Sequence, residues 1–126
     1  MKYEVISYLQ PNAYIQPMKP ITRANCPIQR ATNVVGDPWS FLILREFFLE
    51  GNRRFRDLED RLGLSPNTLS VRLKKLEQAG LIRREFYSDH PPRARYALTE
   101  RGRDFGPVMD ALYDWGMAHT PDLAQA

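Results

Sequence analysis

The sequence predicts a mainly α-helical chain with one small β-hairpin, an α+β fold, on three observations. Phe55, Leu58 and Leu62 recur at helical spacing, Gly63 breaks the run, and Ser65-Pro66 opens a second stripe of Leu69, Leu73 and Leu76. Directly after Gly80 the apolar spacing switches from helical to alternating, in LIRREFY (81–87) and RARYAL (93–98). Phe105, Val108, Met109, Leu112 and Trp115 then form a closing helical stripe.

In chain order, residues 1–25 read as an arm. Pro11, Pro17 and Pro20 exclude a continuous helix there, while Tyr3, Val5 and Leu9 suit one face of a short strand near 3–9. A first helix is expected from Pro27 to Val35, with proline at its first position, Gly36 after its end, and Ile28, Ala31, Val34 and Val35 as its apolar face. Asp37 caps a second helix that runs through Trp39, Phe41, Leu42, Ile43, Leu44, Phe47, Phe48 and Leu49 to Gly51. It is apolar nearly all round, so it is expected to be buried on most sides and to centre the core. Asn52-Arg53-Arg54 reads as a loop before the two short helices. The strands flank a loop at 88–92, and Ala94, Tyr96 and Leu98 share a face. Thr99 caps the last helix, which Gly106-Pro107 kinks or interrupts. Two short helices around a glycine turn, followed at once by a hairpin, spell a winged helix-turn-helix. The closing stripe, with Met109 and Trp115, is more than a chain this small covers, which suits terminal dimerisation helices.

A chain of 126 residues, 43% apolar and 26% charged, holds one core of a soluble globular protein. No stretch approaches the ~20 apolar residues that span a bilayer, and the N-terminus lacks the apolar block of a secretory signal, so the expected compartment is the cytoplasm. A single cysteine excludes an internal disulfide and a multi-cysteine metal site. Residues 51–103 hold thirteen Lys/Arg against seven Asp/Glu, whereas residues 104–126 hold four Asp and no Lys or Arg. A basic middle before an acidic tail suits a polyanionic partner on one side only.

The blocks CPIQRATNVVGDPWSFLILREF (26–47), RRFRDL (53–58), SPNTLSVRLKKLEQAGLIRR (65–84), PPRARYALTERG (91–102) and MDALYDWG (109–116) together resemble the MarR-like HxlR family of bacterial transcription regulators. The resemblance covers 26–119 and implies a winged helix fold, a homodimer formed through terminal helices, and operator binding. It divides the chain into an arm (1–25), a DNA-binding domain with its dimerisation helix (26–120, the helix at about 99–119) and a tail (121–126). Three departures stand out: the arm is longer than the family commonly has, Arg56 stands where a small capping residue is frequent, and Arg95 where an acidic one is.

With Leu69, Leu73 and Leu76 inward, the recognition helix (about 65–79) turns Asn67, Ser70, Val71 and Lys74 outward, with Thr68, Arg72 and Lys75 on a flank. Such a helix fits the major groove: Asn67 suits adenine, Arg72 guanine, and Val71 or the Thr68 methyl a thymine methyl. Ser65 at the helix start, with Lys74 and Lys75, suits phosphates. In the wing (about 81–98), Arg93 and Arg95 beside Pro91-Pro92 suit the flanking minor groove or backbone, and Arg95 alternatively pairs with Glu85. Arg53 and Arg54 suit either backbone contact or ion pairs. Cys26, before Pro27, falls at a helix N-cap, which favours a thiolate and makes it a candidate redox sensor as well as a candidate packing residue; in some family members a cysteine at this place is the sensor. An enzyme is not expected. His90 and His119 lie apart, Asp57, Glu59 and Asp60 read as surface charges, and neither a cofactor nor a metal site is indicated. The rival reading is a winged-helix protein–protein module without DNA binding. A small-molecule or redox effector is left open.

Overall fold

In the computed structural model the described residues are 23–122. The chain divides into two units, Met1–Arg30 and Ala31–Ala126. Of the first, residues 23–30 are described and carry Cys26 and the start of the first helix; the strand expected near 3–9 lies outside the described residues. The core and the sites that follow belong to the second unit.

Six helices and one hairpin are described: α1 Pro27–Val35, α2 Pro38–Glu50, α3 Phe55–Leu62, α4 Pro66–Gln78, β1 Ile82–Asp89, β2 Pro92–Leu98, α5 Glu100–Arg103 and α6 Gly106–His119. At α2, α4 and α5 the caps are those that the sequence nominates. The Asp37 carboxylate accepts from the Ser40 N–H (2.8 Å) and hydroxyl (2.7 Å) at the start of α2. Ser65 Oγ accepts from the Thr68 N–H at 3.2 Å to open α4. Gly63, at φ +65°, makes the left-handed turn between α3 and α4 that a side chain would strain. α3 begins at Phe55 with Arg54 at its N-cap, so Arg56 lies inside the first turn and is not the capping position; Asp57 holds the turn by accepting from the Arg54 N–H (3.0 Å) and guanidinium.

Ile43, Leu44 and Phe47 of α2, Leu58 of α3, Leu69, Leu73 and Leu76 of α4, and Leu81 and Ile82 form one buried cluster. Each such side chain contributes about 1.5–3 kcal/mol by leaving water. α2 is less enclosed than its composition suggests: Trp39, Phe48 and Leu49 are exposed. Its partners α3, α4 and α6 do not surround it. The face expected of α1 is likewise covered only at its end, where Val35 is buried and Ile28 is exposed.

The hairpin is longer than its sequence pattern. Asp89 pairs with Pro92, which leaves His90–Pro91 as the turn, and an irregularity at Tyr87 separates the pairs Phe86↔Ala94 and Ser88↔Arg93. Pro92 is tolerated as the first residue of a strand, where its missing N–H costs no ladder bond. Arg53, expected in a loop, instead exchanges backbone hydrogen bonds with Tyr96 and adds a third line to the sheet. Thr99 ends β2 and caps α5: its N–H donates to the Leu81 carbonyl and its Oγ1 accepts from the Gly102 N–H (3.0 Å). Gly102 is required by proximity, because a Cβ there would lie 2.1 Å from the Leu81 carbonyl oxygen. The last helix is interrupted one residue before Gly106, at Asp104-Phe105. Among the described residues no helix is long and apolar enough to cross a membrane.

Candidate nucleic-acid interface

The inward stripe of α4 is fully buried, and this fixes what the helix offers outward. Asn67, Ser70, Val71 and Lys74 are exposed, with Val71 at 55% although nothing polar excuses it. Thr68 is half-buried, and its hydroxyl oxygen accepts from Ser65 Oγ at 3.0 Å. Ser65 is therefore occupied as a cap. Ser65, Pro66 and Asn67 are exposed, so the positive end of the helix is open to solvent, the polarity that suits an anion.

Arg72 and Lys75 turn elsewhere. The guanidinium and the ammonium group each lie 3.7 Å from the Asp37 carboxylate at the start of α2. Burial opposes ionisation of Asp37, yet the two Ser40 hydrogen bonds and the charges of Arg72 and Lys75 outweigh it and hold the carboxyl below its ordinary range. The Arg72 Nε is buried without a partner. A guanidinium anchored this way stands off the outward face, so Arg72 is less available to a base than its flank position suggests. Nothing in the sequence brings position 37 to position 72; only the packing of α4 across α2 does so.

The wing is tied to α4 by Arg84, whose Nε meets Glu77 at 3.0 Å. Between them lies a cleft of about 290 Å³ lined by Ser70, Lys74, Glu77, Arg84 and Tyr96. Burial raises the Tyr96 hydroxyl above its ordinary pKa, so it stays neutral. Arg95 does not pair with its cross-strand neighbour Glu85. Its guanidinium sits 4.7 Å from the centre of the Tyr87 ring, while Glu85 takes Arg83 at 2.9 Å. Arg93 is exposed and shares a hollow of about 430 Å³ with Arg54, Arg56 and Tyr87 at the start of α3. Of the two loop arginines, Arg53 is buried and bound to Glu46 and Glu50 (3.1 Å each), and Arg54 is bound to Asp57 (3.2 Å). The buried Glu46–Arg53 pair has no signature in the sequence, since a glutamate in an apolar helix reads as a solvent-side residue.

Cys26 sits where expected, its carbonyl accepting the first helical bond from Arg30 at 3.0 Å, but it is only 8% exposed. On α6 no side chain is buried: Val108, Leu112 and Trp115 are about half exposed, and Tyr113 and Met117 more so. Among the described residues no cluster of three or more His, Cys, Asp or Glu could hold a metal ion.

The family model described as HxlR-like helix-turn-helix matches residues 34–123. The chain belongs to the HxlR family. Its relatives include an HTH-type transcriptional regulator of Synechocystis, 46% identical over 92 residues that span 72% of this chain and 67% of that one. A second, from Mycobacterium bovis, is 45% identical over 94 residues, 75% of this chain and 59% of that one. The HxlR chain thus spans only about three fifths to two thirds of these relatives' length. Among solved structures it is similar to the redox regulator HypR in its oxidised form (28% identity, TM-score 0.68, 77% of this chain and all of that one). It is similar also to the reduced transcriptional regulator YodB from B. subtilis (28% identity, TM-score 0.66, 75% and 94%). The HxlR match begins within α1 and takes in α2 to α6, the helix-turn-helix, the wing and the exposed final helix together.

Proposed function

We propose that the chain is a sequence-specific regulator of transcription that binds duplex DNA as a homodimer, with α4 in the major groove and the wing on the flanking backbone or minor groove. The observation that carries this reading is the outward face of α4, where Asn67, Ser70, Val71 and Lys74 are exposed beside a buried leucine stripe. Asn67 and Ser70 would meet base edges, Val71 or the Thr68 methyl a thymine methyl, and Lys74 and the Ser65 end of the helix phosphates. Arg72 and Lys75 would position α4 through Asp37 and approach the backbone from the flank. Arg93, with Arg54 and Arg56 beside it and Arg95 stacked on Tyr87, would grip the backbone beyond the groove. The working module is the stretch 26–120, with the exposed stripe of α6 as the contact between two copies.

The test is a titration of duplex DNA at two salt concentrations, followed by selection of sites from random duplexes. A protein making about six to ten phosphate contacts loses about 10³–10⁵ in affinity between 50 and 200 mM salt. Affinity that ignores salt, or no binding at all, would leave the protein–protein module as the reading. A symmetric selected site supports the dimer.

Redox sensing at Cys26 is a second reading, supported by the likeness to HypR and opposed by the burial of the thiol, which limits an oxidant's access to it. DNA affinity with and without a mild thiol oxidant, for the native chain and Cys26→Ser, decides it. Unchanged affinity of a chain shown by mass to be modified at Cys26 would make the residue a packing cysteine.

A further inference from the structure

The basic surplus of the middle segment is not all accounted for by the DNA-facing side. Side chains alternate along β1, and Arg84 reaches Glu77 on α4, so Arg83 projects to the opposite face of the hairpin. There it lines a cavity of about 470 Å³ together with Arg103 of α5. Phe47, Phe48, Ala97 and Leu98 supply apolar lining from the end of α2 and the end of β2. Both arginines donate to the same carbonyl, Leu98 O, at 3.3 and 3.1 Å. Arg83 also holds Glu85, whereas among the described residues no carboxylate pairs with Arg103. Two guanidinium groups therefore line the cavity beside an apolar surface, and only that of Arg83 is paired with a carboxylate.

We propose that this cavity binds a small organic acid, a single carboxylate on a compact apolar body such as a benzene ring. The volume lies within the ~300–1,000 Å³ range of small-molecule sites. A neutral apolar guest would cover the Arg103 guanidinium with a neutral carbonyl, Leu98 O, as its partner and no counter-charge, and a bare phosphate would leave the aromatic lining uncovered. A carboxylate with an apolar body satisfies both: Arg103 takes the anion in charge-assisted hydrogen bonds, and Phe47 and Phe48 cover the body. Such an acid would join the wing, through Arg83, to the helix that leads into α6. The consequence for DNA affinity rests on the DNA-binding reading; the binding itself does not.

Calorimetric titration of the purified full chain tests it with three probes at matched ionic strength: benzoate, benzamide (same ring, no charge) and acetate (same charge, no ring). Benzoate is expected to bind at least about tenfold more tightly than either control, and Arg103→Gln to weaken benzoate by about tenfold, as removal of one charge-assisted hydrogen bond does. Should Arg103→Gln fail to fold by circular dichroism, Phe48→Glu, at an exposed position, is expected to repel benzoate to the same extent. Equal binding of the three probes, no binding of benzoate, or benzoate binding that a folded variant leaves unchanged would overturn the proposal. Because no DNA is present, failure here is separate from failure of the DNA-binding reading.

Discussion

Asp37 caps α2 through Ser40 and also faces Arg72 and Lys75, so one carboxylate fixes a helix start and the posture of α4. Asp37→Ala should cost about 1 kcal/mol in urea unfolding, as N-cap losses do, whereas Asp37→Asn keeps the cap and should cost less. The carboxyl is depressed in the folded protein. Its contribution is therefore present above the unfolded value, about 3.9, and is lost as the pH falls through the folded one. The native chain should accordingly lose stability below about pH 4 more steeply than Asp37→Asn; parallel curves would show that the ionised carboxylate, through Ser40, Arg72 and Lys75, contributes nothing. At Gly102 the prediction is steric. A Cβ 2.1 Å from the Leu81 oxygen forces backbone to move, so Gly102→Ala should destabilise by about 1–3 kcal/mol or more, read by thermal unfolding. Asp37 was legible as a cap and Gly102 as part of a motif, but their second roles were not, because both depend on atoms distant in sequence.

At the scale of elements, the helices were legible because each has local punctuation: Asp37-Pro38, Ser65-Pro66, Thr99, Gly63. The helix-turn-helix followed from that punctuation together with the helical period, and the wing from the switch to alternation after Gly80. What escaped was pairing between elements. Arg53 joined the sheet through Tyr96, Arg95 stacked on Tyr87 in place of Glu85, and Arg72 on its flank of α4 met Asp37. These choices suggest a division of labour that mutagenesis can separate. Asn67→Ala should weaken a selected operator by about 1–3 kcal/mol and relax preference at one position per half-site. Arg93→Ala should instead weaken selected and random duplexes alike and reduce the salt slope by about 0.9 for each phosphate no longer neutralised. Gel-shift titrations of both variants on both DNAs would show it, and identical effects on both DNAs would remove Asn67 from the base-reading role.

For the whole molecule, the deciding feature is the exposed stripe of α6. Val108, Leu112 and Trp115 are about half exposed on a helix with no buried side chain, a surface that one copy leaves in water. Packing two such helices about a two-fold axis would cover it, and under the proposed function would place the acid-rich end of the chain away from DNA. Leu112→Glu should convert a micromolar dimer to monomer in sedimentation equilibrium and weaken operator binding with it. The native chain sedimenting as a monomer at that concentration would contradict the arrangement. In the dimer the two α4 helices are expected about 34–36 Å apart, or a multiple, one turn of DNA.

Alone, the sequence determined the order and type of the elements, the buried leucine stripe of α4 and the exposure of its opposite face, because periodicity and caps act over a few residues. Tertiary structure alone decided which charges are engaged. The Glu46–Arg53 pair, the Asp37 hub and the cavity between Arg83 and Arg103 each join residues that packing brings together from separate elements. Long charged side chains have many reachable partners, and only the relative placement of α2, α4, the hairpin and α5 selects among them.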